Sequence, residues 1–231
     1  MHLFYHPQAS SHHLSLEESR HAAKVLRLKT GDPIELTDGN GHFFKAEIIK
    51  TDPRETEFRL LTSTEEPRKD FSIHLAIAPT KNSDRIEWMV EKCIEIGVSK
   101  ISFLQCKTSE RKSINLERLE KIAISAMKQS RRAWLTTIEP PSPFGDFIKR
   151  CSGKQKFIAH VDGTNSNQLV LLAVPRSEYV ILIGPEGDFV QEELEQAGQH
   201  GFQKVSLGAS RLRTETAGLF AVMALNFVNQ K

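Results

Sequence analysis

Cysteine is scarce in this 231-residue chain: Cys93, Cys106 and Cys151 are odd in number, unclustered and nowhere spaced as Cys-x-x-Cys. That argues against a disulfide framework and fits free thiols in a reducing cytoplasm. Long apolar runs are missing too, with nothing near the ~20 residues that cross a bilayer. The start, Met1-His2-Leu3-Phe4-Tyr5-His6-Pro7, has no charged region followed by an apolar core, so no signal peptide is expected and the location expected is cytoplasmic. His12 and His13 are adjacent rather than spaced for one helix face, so no metal is expected. The Gly-x-x-x-x-Gly-Lys-Ser/Thr phosphate loop, a complete Gly-x-Gly-x-x-Gly and the Gly-x-Ser-x-Gly elbow are all absent. These absences disfavour triphosphate hydrolysis, a dinucleotide fold and the commonest serine hydrolases.

Net charge is only +2, so the chain as a whole is no basic nucleic-acid coat. The charge is uneven, however. Between Lys107 and Arg132 eight Lys or Arg face three Glu, a local +5. Arg131 and Arg132 end that stretch, and a smaller basic set, Arg20, Lys24, Arg27 and Lys29, lies near the N-terminus. Patches of this kind suit a polyanion; a solvated helix face is the equally weighted alternative.

Two styles of patterning divide the chain. Residues 1 to 66 read as mostly β: Ile34–Thr37 alternates, Asp38-Gly39-Asn40-Gly41 turns, His42–Ile49 continues extended, Thr56–Leu61 adds a strand, and a short helix spans Leu16–Leu26. So many short strands suggest a small barrel. Thr62–Asp70, polar and containing Pro67, reads as a linker. From 71 to 231 the pattern is α/β. Strands are expected at Phe71–Ala78, Lys100–Gln105, Lys156–Val161, Tyr179–Ile183 and Lys204–Leu207. One helix capped by Ser83 and Asp84 ends at Gly97, and another starts at Asn115. A largely parallel sheet with helices on both faces follows. Ala217–Val228 is apolar almost all round, which predicts a helix buried on every side, either against a second subunit in a homodimer or inside the core.

Chemistry concentrates in two loops. Ile183 ends an apolar run and Gly184-Pro185-Glu186-Gly187 follows, with Asp188 placed to cap the next helix. Further on, Leu207-Gly208 leads through Ala209, Ser210 and Arg211 into Leu212-Arg213-Thr214 and the apolar helix. Gly184-Pro185-Glu186-Gly187 alone could be only a turn, and the coincidence of both loops is much more specific than either. Two of them at strand ends can close on one small molecule with main-chain groups.

This pair of motifs resembles the S-adenosyl-L-methionine site of SPOUT methyltransferases. Along its whole length the chain is similar to the bacterial family that methylates N3 of a uridine in 16S ribosomal RNA of the small subunit. Matching stretches include His21–Arg27 with Gly31-Asp32, Ile94–Val98, Ser109-Glu110-Arg111 and Lys121–Ala126. The resemblance implies a PUA-like β-barrel over 1–66. It also implies a SPOUT α/β domain over 71–231, with a C-terminal deep trefoil knot that both binds the cofactor and dimerises. It assigns the cofactor to Ile183, Gly184, Pro185, Glu186, Gly187, Leu207, Gly208, Leu212, Arg213 and Thr214, with His160 nearby. Arg213 and Arg111 become the candidates to stabilise the uracil anion or grip phosphate, and Arg20, Lys24, Arg27, Arg111, Arg131 and Arg132 the candidates to bind RNA. The family commonly has Arg two residues after the glycine of Leu-Gly, where this chain has Ser210 and then Arg211. Two other readings compete: a SPOUT enzyme acting on another RNA, and a cofactor-free RNA-binding module.

Overall fold

The computed structural model describes residues 1–8, 11–160 and 167–230. Contacts group them into two compact units, Met1–Arg68 with Met127–Leu135, and Lys69–Ala126 with Thr136–Lys231.

The first unit is a four-stranded sheet of order β1-β2-β3-β4, formed by β1 (Leu3–Tyr5), β2 (Pro33–Thr37), β3 (His42–Lys50) and β4 (Glu57–Glu65). Alternation drives it. Ile34 and Leu36 of β2, Ala46 and Ile48 of β3, and Phe58 of β4 point inward and join Phe4, Leu14 and Ala22 in one core. At the β2–β3 turn the Asp38 carboxylate accepts the Asn40 N–H at 2.7 Å and the His42 N–H at 3.1 Å. The short helix is α1 (Leu16–Arg20), capped by Ser15, whose hydroxyl accepts the Glu18 N–H. It widens into a π-helical turn over His21–Val25 and is followed by Arg27 at φ +54°.

The expected linker is shorter than the sequence suggests. Thr62 to Glu65 continue β4 and pair with Lys45 back to His42. Their side chains are exposed, so no apolar alternation marks them; Thr62 and Thr64 supply the β-branching that a strand favours. Segment 127–135 also belongs to this unit. The Gly41 N–H donates to Ala133 O and the Leu135 N–H to Gly39 O, while the Glu66 carboxylate accepts the Ala133 N–H.

The second unit runs β5 (Ser72–Ile77), α2 (Ser83–Ile96), β6 (Lys100–Gln105), α3 (Leu116–Gln129), β7 (Thr137–Pro143), α4 (Phe144–Arg150) and β8 (Gln155–Ala159). It continues through α5 (Leu169–Leu172), β9 (Glu178–Ile183), α6 (Gln191–Gln199), β10 (Gln203–Val205) and α7 (Thr214–Val228). All six strands are parallel, in order β10-β8-β9-β5-β6-β7. Alternate residues of each strand serve opposite faces. Ala76, Leu104, Ile158, Val180 and Leu182 pack with Phe144, Phe147, Leu194 and Ala197 of α4 and α6. On the other face α7 lies so close that a Cβ on Gly218 would sit 2.8 Å from Ile77 Cδ1.

Several local expectations change. The cap of α2 is Asn82, whose side chain accepts the Asp84 N–H at 2.8 Å, rather than Ser83 or Asp84. Helix α6 is capped by Val190 and the Glu193 carboxylate, not by Asp188. The stretch expected to reach Val161 forms a strand to Ala159, and Val161 lies outside the described residues. Helix α7 is not buried all round in the single chain. Phe220, Met223 and Phe227, at i, i+3 and i+7, are 42, 52 and 62% exposed, while Ala221, Val222 and Leu225 are buried.

Candidate active site

In a parallel sheet every strand points its carboxyl end to the same edge, and ligands collect there. The two glycine loops obey that rule. Loop 184–190 leaves β9, loop 206–213 leaves β10, and the strand between them, β8, ends at Ala159 just before His160. Three neighbouring strand ends therefore carry every residue assigned to the cofactor, and the His160 N–H donates to Val205 O at 3.2 Å.

The first loop is folded onto itself. Asp188 N–H donates to Pro185 O at 2.9 Å, and Asp188 itself stands at φ +62°. A Cβ on Gly184 would meet the Phe189 ring at 3.1 Å, so the glycine lets that ring close the bend. Ile183 and Pro185 are buried, whereas Glu186 and Gly187 face solvent. The second loop turns at Gly208, φ +116°, with open space where a Cβ would point. Leu207 and Leu212 are half-buried beside exposed backbone from Gly208 to Arg211. Apolar side chains flanking accessible main chain suit an adenine ring and its edge donors, so the residues present fit S-adenosylmethionine.

Arg213 is the N-cap residue of α7, exposed, with no side-chain cap bond, and its carbonyl accepts the Ala217 N–H. Thr214 is buried at the first turn. Two carboxylates, Glu215 in the first turn of α7 and Glu186 on the first loop, are engaged elsewhere. Glu215 lies 3.7 Å from Arg85 Nη1, and Glu186 Oε1 accepts the Lys81 N–H at 3.4 Å.

Partners from distant sequence complete the edge. His160 Nδ1 lies 2.9 Å from Asp188 Oδ2, close enough for an ion pair with a protonated ring but out of line for a hydrogen bond. The loop after β6 clasps the first loop: Thr108 Oγ1 donates to Asp188 O at 2.8 Å, and the Lys107 N–H donates to Glu193 Oε1 at 2.9 Å. Lys107 also pairs with Glu192. Arg111 donates from Nε to Ser113 O and from Nη1 to Lys81 O, so it braces the loop after β5. These contacts span 80 residues or more in several cases, and no local spacing announces them.

The other basic candidates belong to the first unit. Arg20, Lys24 and Arg27 are exposed on α1, the π-helical turn and the residues just after it. Arg131 is held by Glu35 at 2.6 Å. Arg132 is partly buried, and that burial lowers its pKa against the opposing effect of Glu66. Among the described residues no group of three or more His, Cys, Asp or Glu could hold a metal, and no helix is long and apolar enough to cross a membrane.

Comparison with known proteins bears directly on this edge. Residues 67–226 match the family model of an RNA methyltransferase domain, and residues 15–61 match that of an RNA methyltransferase PUA domain. A ribosomal RNA small subunit methyltransferase E from Rickettsia conorii is 30% identical over 216 residues, covering 93% of this chain and 86% of its own length. Among solved structures, a probable rRNA-methyltransferase from Porphyromonas gingivalis superposes with TM-score 0.94 at 41% identity, over 100% of this chain and 99% of its own. A ribosomal RNA small subunit methyltransferase E from Neisseria gonorrhoeae, bound to S-adenosyl methionine, superposes with TM-score 0.89 at 28% identity over 99% and 98%. Both units thus match RNA methyltransferase domains, and this chain belongs to the ribosomal RNA small subunit methyltransferase E family of RNA methyltransferases.

Proposed function

We propose that this protein methylates N3 of a uridine in 16S ribosomal RNA of the small subunit, using S-adenosyl-L-methionine, and that it works in the cytoplasm as a homodimer. The observation that carries this reading is the placement of both glycine loops on carboxyl strand ends that flank the end of β8, in a chain whose Neisseria relative holds S-adenosyl methionine. The cofactor-free module loses favour for the same reason.

When bound, S-adenosylmethionine supplies an electrophilic methyl on a sulfonium. Ile183, Gly184, Pro185, Glu186, Gly187, Leu207, Gly208, Leu212, Arg213 and Thr214 would hold it through the main chain and the apolar side chains of Ile183, Pro185, Leu207 and Leu212, with His160 just past the intervening strand end. N3 of uridine attacks only after its imide proton leaves, so the protein must align the base and stabilise the negative charge that forms. Arg213, exposed at the mouth of the second loop, is the cation proposed for that charge. Arg111 acts at one remove, by bracing the Lys81 carbonyl. Arg20, Lys24, Arg27, Arg131 and Arg132 grip the RNA backbone, and binding weakens with salt as counterion release requires. The target uridine leaves its stack to reach the cofactor, as enzymes acting on bases generally require.

The finer architecture follows the family likeness. Segment 203–206 runs beside 157–160 and 167–169, with the Ser206 N–H on Asn167 O and the Leu169 N–H on Ser206 O. Such lateral pairing is compatible with the deep trefoil knot that the family likeness implies, a rare exception to unthreaded connections. The exposed stripe Phe220, Met223 and Phe227 is the surface proposed for dimerisation.

Mass spectrometry of ribosomal RNA from a deletion strain tests the assignment. One methyluridine should vanish from the small subunit and return with the gene. An unchanged set of 16S modifications would overturn it.

A further inference from the structure

A second recess adjoins the cofactor loops. It is a cavity of about 540 Å³ lined by Lys81, Asn82, Arg85, Glu110 and Glu186, a volume typical of small-ligand sites. Lys81 and Asn82 follow β5, Glu110 follows β6 and Glu186 follows β9. The cofactor loops follow β10, β8 and β9. The sheet order β10-β8-β9-β5-β6 therefore sets cofactor loops and cavity side by side, with the loop after β9 common to both. Glu186 is the hinge of that arrangement: it belongs to the first cofactor loop, and its carboxylate takes the Lys81 N–H.

We infer that this cavity receives the acceptor nucleotide of the RNA, with Lys81 and Arg85 as the cations that meet it; the inference rests on the methyltransferase reading above. Both cations have capacity to spare. Lys81 Nζ lies 3.3 Å from Glu110 in a pair whose side chains are 83 and 62% exposed. Arg85 Nη1 lies 3.7 Å from Glu215, farther than a hydrogen bond reaches. The Lys81–Glu110 pair is exposed and contributes little, and the half-exposed Arg85 guanidinium is only loosely held by the buried Glu215, so an incoming phosphate or uracil oxygen can take up their donors. Arg111, by contrast, already donates to Ser113 and Lys81 and shapes the wall. Negative charge arriving with the nucleotide is met by Lys81 and Arg85.

The opposite edge of the same sheet supplies the control. Its cavity of about 450 Å³ is lined by the amino ends of β5, β6, β7 and β9 and includes Arg150. The experiment is steady-state methylation with tritiated S-adenosylmethionine, using small ribosomal subunits from cells lacking this enzyme. Lys81→Ala and Arg85→Gln should each lower kcat/KM for the subunits about tenfold, and the double variant about a hundredfold, as lost charge-assisted contacts imply. Calorimetric affinity for S-adenosylmethionine should stay within about twofold in all three. Lys81→Arg and Arg85→Lys should restore most of the rate, and Arg150→Ala should match the wild type. Wild-type kinetics in the double variant would overturn the inference. So would a loss of cofactor affinity equal to the loss of rate, which would put both residues in the cofactor site. A wild-type protein that neither binds the cofactor nor methylates subunits would instead bring down the underlying reading, and this inference with it.

Discussion

At Gly208 the backbone takes φ +116° with open space around the missing Cβ, so the requirement is conformational and not steric. A side chain there carries strain of about 1–3 kcal/mol. Gly208→Ala should lower S-adenosylmethionine affinity about tenfold in calorimetry while leaving the circular dichroism spectrum intact. His74 makes a different residue-scale prediction. Burial, helped by Lys100, lowers its pKa to about 4, and Nε2 lies 2.7 Å from Ser102 Oγ, which donates to Glu139. The unfolded chain, with His near 6.5, binds a proton that the folded chain refuses. This contribution is complete above pH 6.5 and is lost as pH falls toward 4. Between pH 7 and pH 5 it amounts to about 2 kcal/mol, so His74→Gln should flatten that part of the urea-unfolding stability profile; an unchanged slope would contradict it. Of these residues the sequence made Gly208 legible, because glycine after a strand has a specific use. The Asn82 cap was hidden by Ser83 and Asp84, either of which has the same capping chemistry. The Asp188–His160 contact was hidden by distance along the chain.

Elements were legible where one face is apolar. Strands β5, β6 and β9 stand out as apolar runs and helix α2 by its helical spacing, and the structure has them close to the expected bounds. Strand β7 was not expected, since Thr137–Pro143 carries Pro140 and Pro141. It is an edge strand, where proline is tolerated because one side of the ladder needs no donor. The four residues of α5 are too few for any period. Helix α7 shows how composition alone misleads: its apolar circumference includes the Phe220, Met223 and Phe227 stripe, which the single chain leaves exposed. Phe227→Glu should convert the proposed dimer to a monomer in sedimentation velocity; a variant that still sediments as a dimer would place the interface elsewhere. On the buried face, Gly218→Ala brings a Cβ to 2.8 Å from Ile77 Cδ1. Overpacking of that kind costs about 1–3 kcal/mol, to be read as a lower urea midpoint.

For the whole molecule, the two-part organisation was visible as a change from alternating β patterning to α/β patterning, because each style buries its apolar residues with its own period. What the linear division missed is that segment 127–135 joins the first unit; a helix can continue across a boundary without changing its pattern. RNA binding belongs at this scale. Lys24→Ala with Arg27→Ala should raise the RNA dissociation constant and flatten its salt dependence by about two phosphate contacts, leaving cofactor affinity unchanged; filter binding across a salt series measures both. The central claim is that two glycine loops on strand ends either side of β8 form one seat for a methyl donor. Calorimetric titration with S-adenosylmethionine tests it most directly. The account predicts one site per chain, competed by S-adenosylhomocysteine and weakened alike by Gly184→Ala and Gly208→Ala. A folded wild-type protein that releases no binding heat and shows no competition, or two glycine variants that bind as tightly as the wild type, would contradict it.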